Sequence, residues 1–324
     1  MAHSRVLTFD DPDRFQAAFR AGEYEVLRSS KDRFHADLTR IDFVQLGMQK
    51  SVRAGPSVAR SMSDARRVPV MFLVDAEQDV SRRNGMELSA RDIVVHSPGS
   101  TNHLQTEGAS RLAMMSLPID DLAAAALALT GREMAPPPRT HLIRPASDLL
   151  GRLRALHGLA CTLAKTDPGT LRRPATAKAL EQDLIHAMIA CLADPDSDKR
   201  KRDGGSHHRL MTRFEDFLTA RRLEPVYLAE ICAAIGASER TLRTCCQEHL
   251  GMGPIRYLWL RRMNLAHRAL VNADPALRTV TEIVTEHGFW ELGRFSVEYR
   301  AMFGESPSTS LRRPAGAMDE IYLA

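Results

Sequence analysis

Three arginines stand where a guanidinium can do recognition chemistry. Arg240 and Arg243 follow closely on Gly236-Ala237-Ser238, and Arg294 follows Gly288-Phe289 at a similar remove. A guanidinium is a planar fork of parallel N–H donors, and its matching acceptors are carboxylates, phosphates and the O6/N7 edge of guanine. The residues beside them are mostly polar or small: Thr241, Thr244 and Gln247 near the first pair, Leu292, Gly293 and Val297 near the third. One such fork on a guanine is worth about 1–3 kcal/mol of discrimination. A further set, Arg261, Arg262 and Arg268, suits phosphate contacts, and Arg262 suits an internal strut equally well.

The elements that position these residues are helices separated by short turns. From His208 onward the pattern predicts about seven of them: Leu210 to Arg221, one opening after Pro225, Glu239 to His249, Pro254 to about Val271, one from Thr279 to His287, Leu292 to Phe303, and a last short one from Pro307. Ser238 is placed to cap the helix that carries Arg240, and Thr279-Val280-Thr281-Glu282 is a capping box. Gly236 and Gly288 sit at turns, while Gly251 and Gly304 end helices. Helix, glycine turn, helix thus occurs twice, with one long helix between. In the first copy Ile231, Ile235, Leu242 and Cys246 fill the inside of the corner; in the second Ile283, Phe289, Phe295, Tyr299 and Phe303 do. This is helix-turn-helix spacing, in which the second helix enters the major groove of DNA and its N-terminal residues reach base edges.

The segment from about Leu210 to Arg313 resembles the DNA-binding domain of the AraC/XylS family of bacterial transcription regulators. The resemblance rests on Ile235-Gly236-Ala237-Ser238 with Leu242, on Leu250-Gly251-Met252-Gly253-Pro254, and on Tyr257-Leu258 and Arg262 with Leu265-Ala266. It is strongest from Val280-Thr281-Glu282-Ile283 through Gly288-Phe289, Arg294-Phe295 and Tyr299-Arg300 to Phe303-Gly304-Glu305-Ser306-Pro307. It departs at Cys232 and Val284, where the family favours a small alanine, and at Cys245-Cys246, where it favours an apolar-aromatic pair. The resemblance implies two recognition helices on successive major grooves, about 34 Å apart. By position it places DNA contacts on Arg240, Arg243 and Thr244 in the first, and on Leu292, Gly293, Arg294 and Val297 in the second. Only Arg294 among the latter can make a bidentate base contact.

The preceding chain reads differently. From about Tyr24 to Leu117, Phe34, Ala36, Leu38, Ile41 and Phe43 nearly alternate, and short apolar runs follow at Val70–Val74, Ile93–Val95 and Leu112–Met115, bounded by turn residues such as Asn84-Gly85. That predicts a small barrel or sandwich, and the family resemblance implies a cupin-like β-barrel that senses a small molecule. After Pro118, Asp120-Asp121 introduce a helix ended by Gly131. Two amphipathic stretches then carry Leu149, Leu153, Leu156 and Leu163, and Leu180, Leu184, Met188 and Leu192. They suit either self-association or completion of their own core. The run from Asp194 to Gly205 is charged, without apolar periodicity, and reads as a linker.

The fold class predicted is therefore α+β: an N-terminal cupin-like β-barrel with flanking helices over 1–193, a linker at 194–206, an all-α double helix-turn-helix domain at 207–313, and a tail at 314–324. With 44% hydrophobic and 26% charged residues the chain is an ordinary globular one, and its net charge of +4 permits nucleic-acid binding without establishing it. Five cysteines at irregular spacing, no signal-peptide pattern and no membrane-length apolar stretch suit a cytoplasmic protein with reduced thiols. The partners expected are double-stranded promoter DNA, RNA polymerase, a small-molecule effector and a second copy of the chain, with no membrane, cofactor, metal or catalytic residue. His96 and His103 flank Ser97-Pro98-Gly99-Ser100, but His35 is isolated and a metal site needs three or four convergent ligands. A cupin-type metal-dependent oxygenase fused to a DNA-binding domain is the enzyme alternative, and a DNA-repair alkyltransferase would need an activated thiolate. A ligand-independent DNA-binding protein is the third reading.

Overall fold

Two antiparallel sheets lie face to face in the N-terminal part of the chain. The computed structural model describes residues 2–19, 22–29, 34–75, 79–194, 205–221 and 226–312. The larger sheet has seven strands, in the order β1 (His3–Phe9), β3 (Ala36–Asp42), β4 (Gly47–Arg53), β11 (Ser110–Pro118), β6 (Arg67–Leu73), β9 (Ile93–Val95) and β12 (His141–Ile143). The smaller has five: β2 (Gly22–Arg28), β5 (Ser57–Ser63), β10 (Thr101–Thr106), β7 (Ser81–Arg83) and β8 (Met86–Leu88). The β7–β8 hairpin turns at Asn84-Gly85, both with positive φ, as the sequence predicts. The predicted barrel is not closed, because the ladder hydrogen bonds run within two separate sheets; the arrangement is the sandwich alternative.

Side chains alternate across each sheet, so each sheet contributes to two cores. The outer face of the seven-stranded sheet, with Met48, Val70, Phe72 and Met115, packs under helices α2 (Ile119–Thr130), α3 (Ser147–Thr166), α4 (Pro168–Arg172) and α5 (Pro174–Leu192). The amphipathic helices at 149–163 and 180–192 thus complete a core with the sheet. Between the sheets, Leu38, Met71 and Leu112 meet Val26, Ala59 and Leu104, with Phe15 of α1 (Pro12–Ala18) joining them.

The remaining helices are those predicted. They are α6 (Gly205–Ala220), α7 (Leu228–Ile235), α8 (Glu239–Leu250), α9 (Pro254–Asn272), α10 (Val280–Glu286), α11 (Leu292–Phe303) and α12 (Pro307–Leu311). Helix α6 starts inside the predicted linker, the rest of which lies outside the described residues apart from Asp194, as do Pro225 and the tail. Their shared core takes in Leu27 and Val58, which stand on the outer face of the five-stranded sheet. No helix among the described residues is long and apolar enough to cross a membrane.

Candidate nucleic-acid interface

Local chemistry fixes both helix corners. In the first, α7 ends at Gly236, left-handed at φ 63°, and Ser238 caps α8 by accepting from the Thr241 N–H at 3.1 Å. In the second, the Thr279 hydroxyl accepts from the Glu282 N–H at 3.3 Å while the Glu282 carboxylate accepts from the Thr279 N–H at 2.8 Å. Ile231, Ile235, Leu242 and Cys246 are buried in the first corner; Ile283, Phe295, Tyr299 and Phe303 are buried in the second, with Phe289 half-buried against Phe295.

The outward residues split into two groups. Arg240, Thr241, Arg243, Thr244 and Gln247 are exposed along α8, and Leu292, Gly293, Arg294 and Val297 are exposed along α11. Thr241 and Thr244 spend their hydroxyls locally, on Ser238 and on the Arg240 carbonyl. Arg294 is folded back on its own helix, donating from Nε to Glu298 at 2.9 Å, with Glu291 3.9 Å from Nη1. Glu298 also accepts from Trp259 Nε1 at 3.0 Å, so the same carboxylate ties α11 to α9. To reach a base edge Arg294 must leave that partner.

Arg261 does not belong with this group. It is buried and donates from Nη1 to Glu215 at 3.2 Å, the carboxylate that also meets His103 and Arg60 of the five-stranded sheet. Helix α9 is the central helix, covered on more than one side, so its arginines do not share one solvent face. Arg262 is half-buried over the Phe289 ring at 5.5 Å, the internal-strut position. Arg268 pairs with Asp13 at 2.8 Å.

Trp290 was not among the predicted contacts, yet it is 74% exposed in the turn before α11, with Val297 72% exposed one turn into that helix. Two large apolar side chains bare on the same recognition element suit the thymine methyl and sugar surfaces of a groove. A tryptophan inside a polar turn was the available signal. It is one of only two tryptophans in the chain, and packing does not claim it.

The first unit is also docked on the sheet. The Glu215 carboxylate of α6 is fully buried and accepts from Tyr257 Oη at 2.8 Å, His103 Nε2 at 3.0 Å and Arg261 Nη1 at 3.2 Å, with Arg60 Nε 3.4 Å away. Burial alone would raise its pKa; His103, Arg261 and Arg60 outweigh that and hold it down to about 2. Nearby, the Asn264 side chain exchanges two hydrogen bonds with the backbone of Arg28, at 3.1 and 3.3 Å. Gly251, left-handed at φ 70°, ends α8 directly against the Gln105 side chain, where a Cβ would collide.

The residues weighed for other chemistry are dispersed. His103 serves Glu215, whereas His96 is buried and kept neutral by burial and the nearby Arg83 charge. Among the described residues no three His, Cys, Asp or Glu side chains converge as metal ligands would. Burial pushes the thiols of Cys161 and Cys245 to about 11 and that of Cys191 to about 12, and raises Cys246 further. These thiols stay protonated, the opposite of what alkyl transfer needs. Cys232 is half-buried, packed against the helical core.

Comparison with known proteins bears on the C-terminal part. The family described as "Helix-turn-helix domain" matches residues 231–313. A probable thc operon regulatory protein of Rhodococcus erythropolis is 42% identical over 97 residues, 30% of this chain and 29% of that protein. The XylDLEGF operon transcriptional activator 2 of Pseudomonas putida is 31% identical over 99 residues, 31% of this chain and 63% of that protein. The chain therefore spans less than two thirds of the length of these curated relatives. A solved structure of a probable AraC family transcriptional regulator from Rhodopseudomonas palustris CGA009 is 32% identical, covering 32% of this chain and 95% of that one with a TM-score of 0.30. The C-terminal helices are a double helix-turn-helix domain. Through that domain the chain belongs to the AraC/XylS family.

Proposed function

We propose that the chain is a sequence-specific transcriptional regulator, an activator that binds double-stranded promoter DNA and answers to a small-molecule effector held by its N-terminal sheets. The observation that carries the reading is the pair of exposed recognition faces, Arg240 and Arg243 on α8 and Arg294 with Trp290 and Val297 at α11, on helices whose opposite faces are buried. The relatives named above are an operon regulatory protein and an operon activator, which supports the same direction. On this reading the units divide as 1–193, 194–206, 207–313 and 314–324. The two recognition helices address successive major grooves, RNA polymerase is the partner in activation, and a second copy of the chain pairs two such sites in the cytoplasm. The facing sheets with polar residues between them support a cupin-like sensor, and the reading assigns it no catalytic role.

Gel-shift titration with promoter fragments in excess competitor DNA tests it. The expected result is selective binding whose logarithmic affinity falls linearly with the logarithm of salt concentration. Binding without any sequence preference overturns it.

A further inference from the structure

Between the two sheets the inner face carries charge that nothing described there neutralises. Gln49, Ser51 and Arg53 are alternate residues of β4 and share its inward face. Gln49 and Ser51 line a small cavity whose other walls include Ser61, Arg83, Tyr24 and the apolar Leu104, Met71 and Met114. Arg53 and Arg83 are both buried. All three nitrogens of the Arg53 guanidinium, the Arg83 Nε and the Gln49 Oε1 have no hydrogen-bond partner among the described residues. Arg83 makes one bond, from Nη2 to Ser61 Oγ at 2.9 Å. Burial pulls the Arg83 guanidinium down to about 10; the Tyr24 phenol opposes this and the Arg53 charge adds to it, so the two cations lie within electrostatic reach of each other.

Arginine stays protonated in a protein, so two buried guanidinium groups without a carboxylate form a strongly unfavourable arrangement unless an anion completes it. We infer that the space between the sheets is a binding site for a compact organic carboxylate, its oxygens on Arg53 and Arg83 and its apolar body against Leu104 and the methionines. This rests on the effector reading above and gives that effector its chemical class. A carboxylate matches the guanidinium fork in a way that an alcohol or amide cannot. The mostly apolar wall sets it apart from a site for an inorganic anion. The gap is small, with room for little more than a water, so the ligand enters by repacking Met71 and Met114, whose unbranched side chains adapt readily.

The test uses the full chain, thermal denaturation and calorimetry, with hexanoate, phenylacetate and 3-phenylpropionate as probes. Their amides and inorganic phosphate serve as controls. Carboxylates are expected to raise the Tm, by about 5 °C at roughly 100 times Kd, with the amides and phosphate inert. Arg83→Gln and Arg53→Met are expected to weaken carboxylate binding about 10- to 100-fold. Ligand-free Tm should be unchanged or higher in both variants, because each removes an unpaired buried charge. Amides binding as well as acids, phosphate binding alone, or a sharp fall in ligand-free Tm in both variants overturns the inference. DNA binding is measured separately on the same samples. Carboxylate binding without selective DNA binding sinks the regulator reading and leaves the site; selective DNA binding with no response to any carboxylate does the reverse.

Discussion

The two helix-turn-helix units share a plan and differ in what surrounds them. The first is moored: the end of α8 abuts Gln105, and beneath it Glu215 gathers His103, Arg60, Tyr257 and Arg261. The second meets the sheet much more lightly, as where Arg28 lies over the Phe303 ring at 5.4 Å. Their outward faces differ in the opposite sense. The first offers two arginines that make no ion pair among the described residues, and the second offers an engaged arginine beside bare tryptophan and valine. One unit is thus suited to hydrogen-bonded readout under control of the sheet, and the other to shape and methyl contacts largely independent of it.

The sharpest way to break this asymmetry is Glu215→Ala. Removing the anion strands Arg261 and Arg60 in a buried site, which costs about 3–5 kcal/mol. Urea denaturation should register that loss, and hydrogen exchange should show α6 and the end of α8 loosened while α10 and α11 keep their protection. Equal loosening of both units would end the distinction.

Acid should act on the same side. The Glu215 contribution is complete above its ordinary value of 4.5 and is lost as pH falls toward about 2. Burial, then His103, His208 and His207, depress His249 from 6.5 to about 3, so the unfolded chain binds that proton first and stability declines as pH drops between those values. Chemical denaturation across pH 7 to 3 should show a progressive loss, and a flat profile would contradict the buried, neutral state of His249.

On DNA, Arg240→Ala and Arg243→Ala should each cost about 1–3 kcal/mol of discrimination at one base pair. Arg294→Ala should relax one position by less, since Glu298 competes for its guanidinium. A uniform loss over all sequences would make Arg294 a phosphate contact instead. Trp290→Ala should weaken binding by about 1–2 kcal/mol through lost apolar contact, most at sites rich in thymine; unchanged affinity would make its exposure incidental. The smallest effects belong to the caps. Ser238→Ala and Thr279→Ala should each lower stability by about 1 kcal/mol, and comparable values would show the two corners to be locally equivalent despite their different surroundings.

The C-terminal helices were legible because their boundaries are written locally, in glycines with positive φ, in Ser238 and Thr279, and in apolar residues at helical spacing. The N-terminal strands were legible only where the interior is apolar, as at Val70–Leu73 and Ile93–Val95. Strands β4, β5 and β10 gave no such signal, since their buried positions include Gln49, Ser51, Arg53, Ser57 and Asn102, whose polarity defeats the alternation rule. The polarity that hid these strands is what makes the space between the sheets chemically interesting. Arg261 was misplaced for a different reason: its partner Glu215 lies 46 residues away and His103 a further 112 from Glu215, and no local pattern announces contacts at that range.

The five-stranded sheet belongs to two cores at once, with Ala59 and Leu104 on one side and Val58 and Leu27 on the other. The seam in the packing therefore does not coincide with the seam in the chain. A cut in the charged segment after Asp194 would divide the polypeptide yet leave the helical part without the floor on which α8 and α9 rest. Exchanging front halves between relatives is for the same reason not a matter of joining two modules. The outer surface of β2, β5 and β10 would have to travel with the helices that cover it.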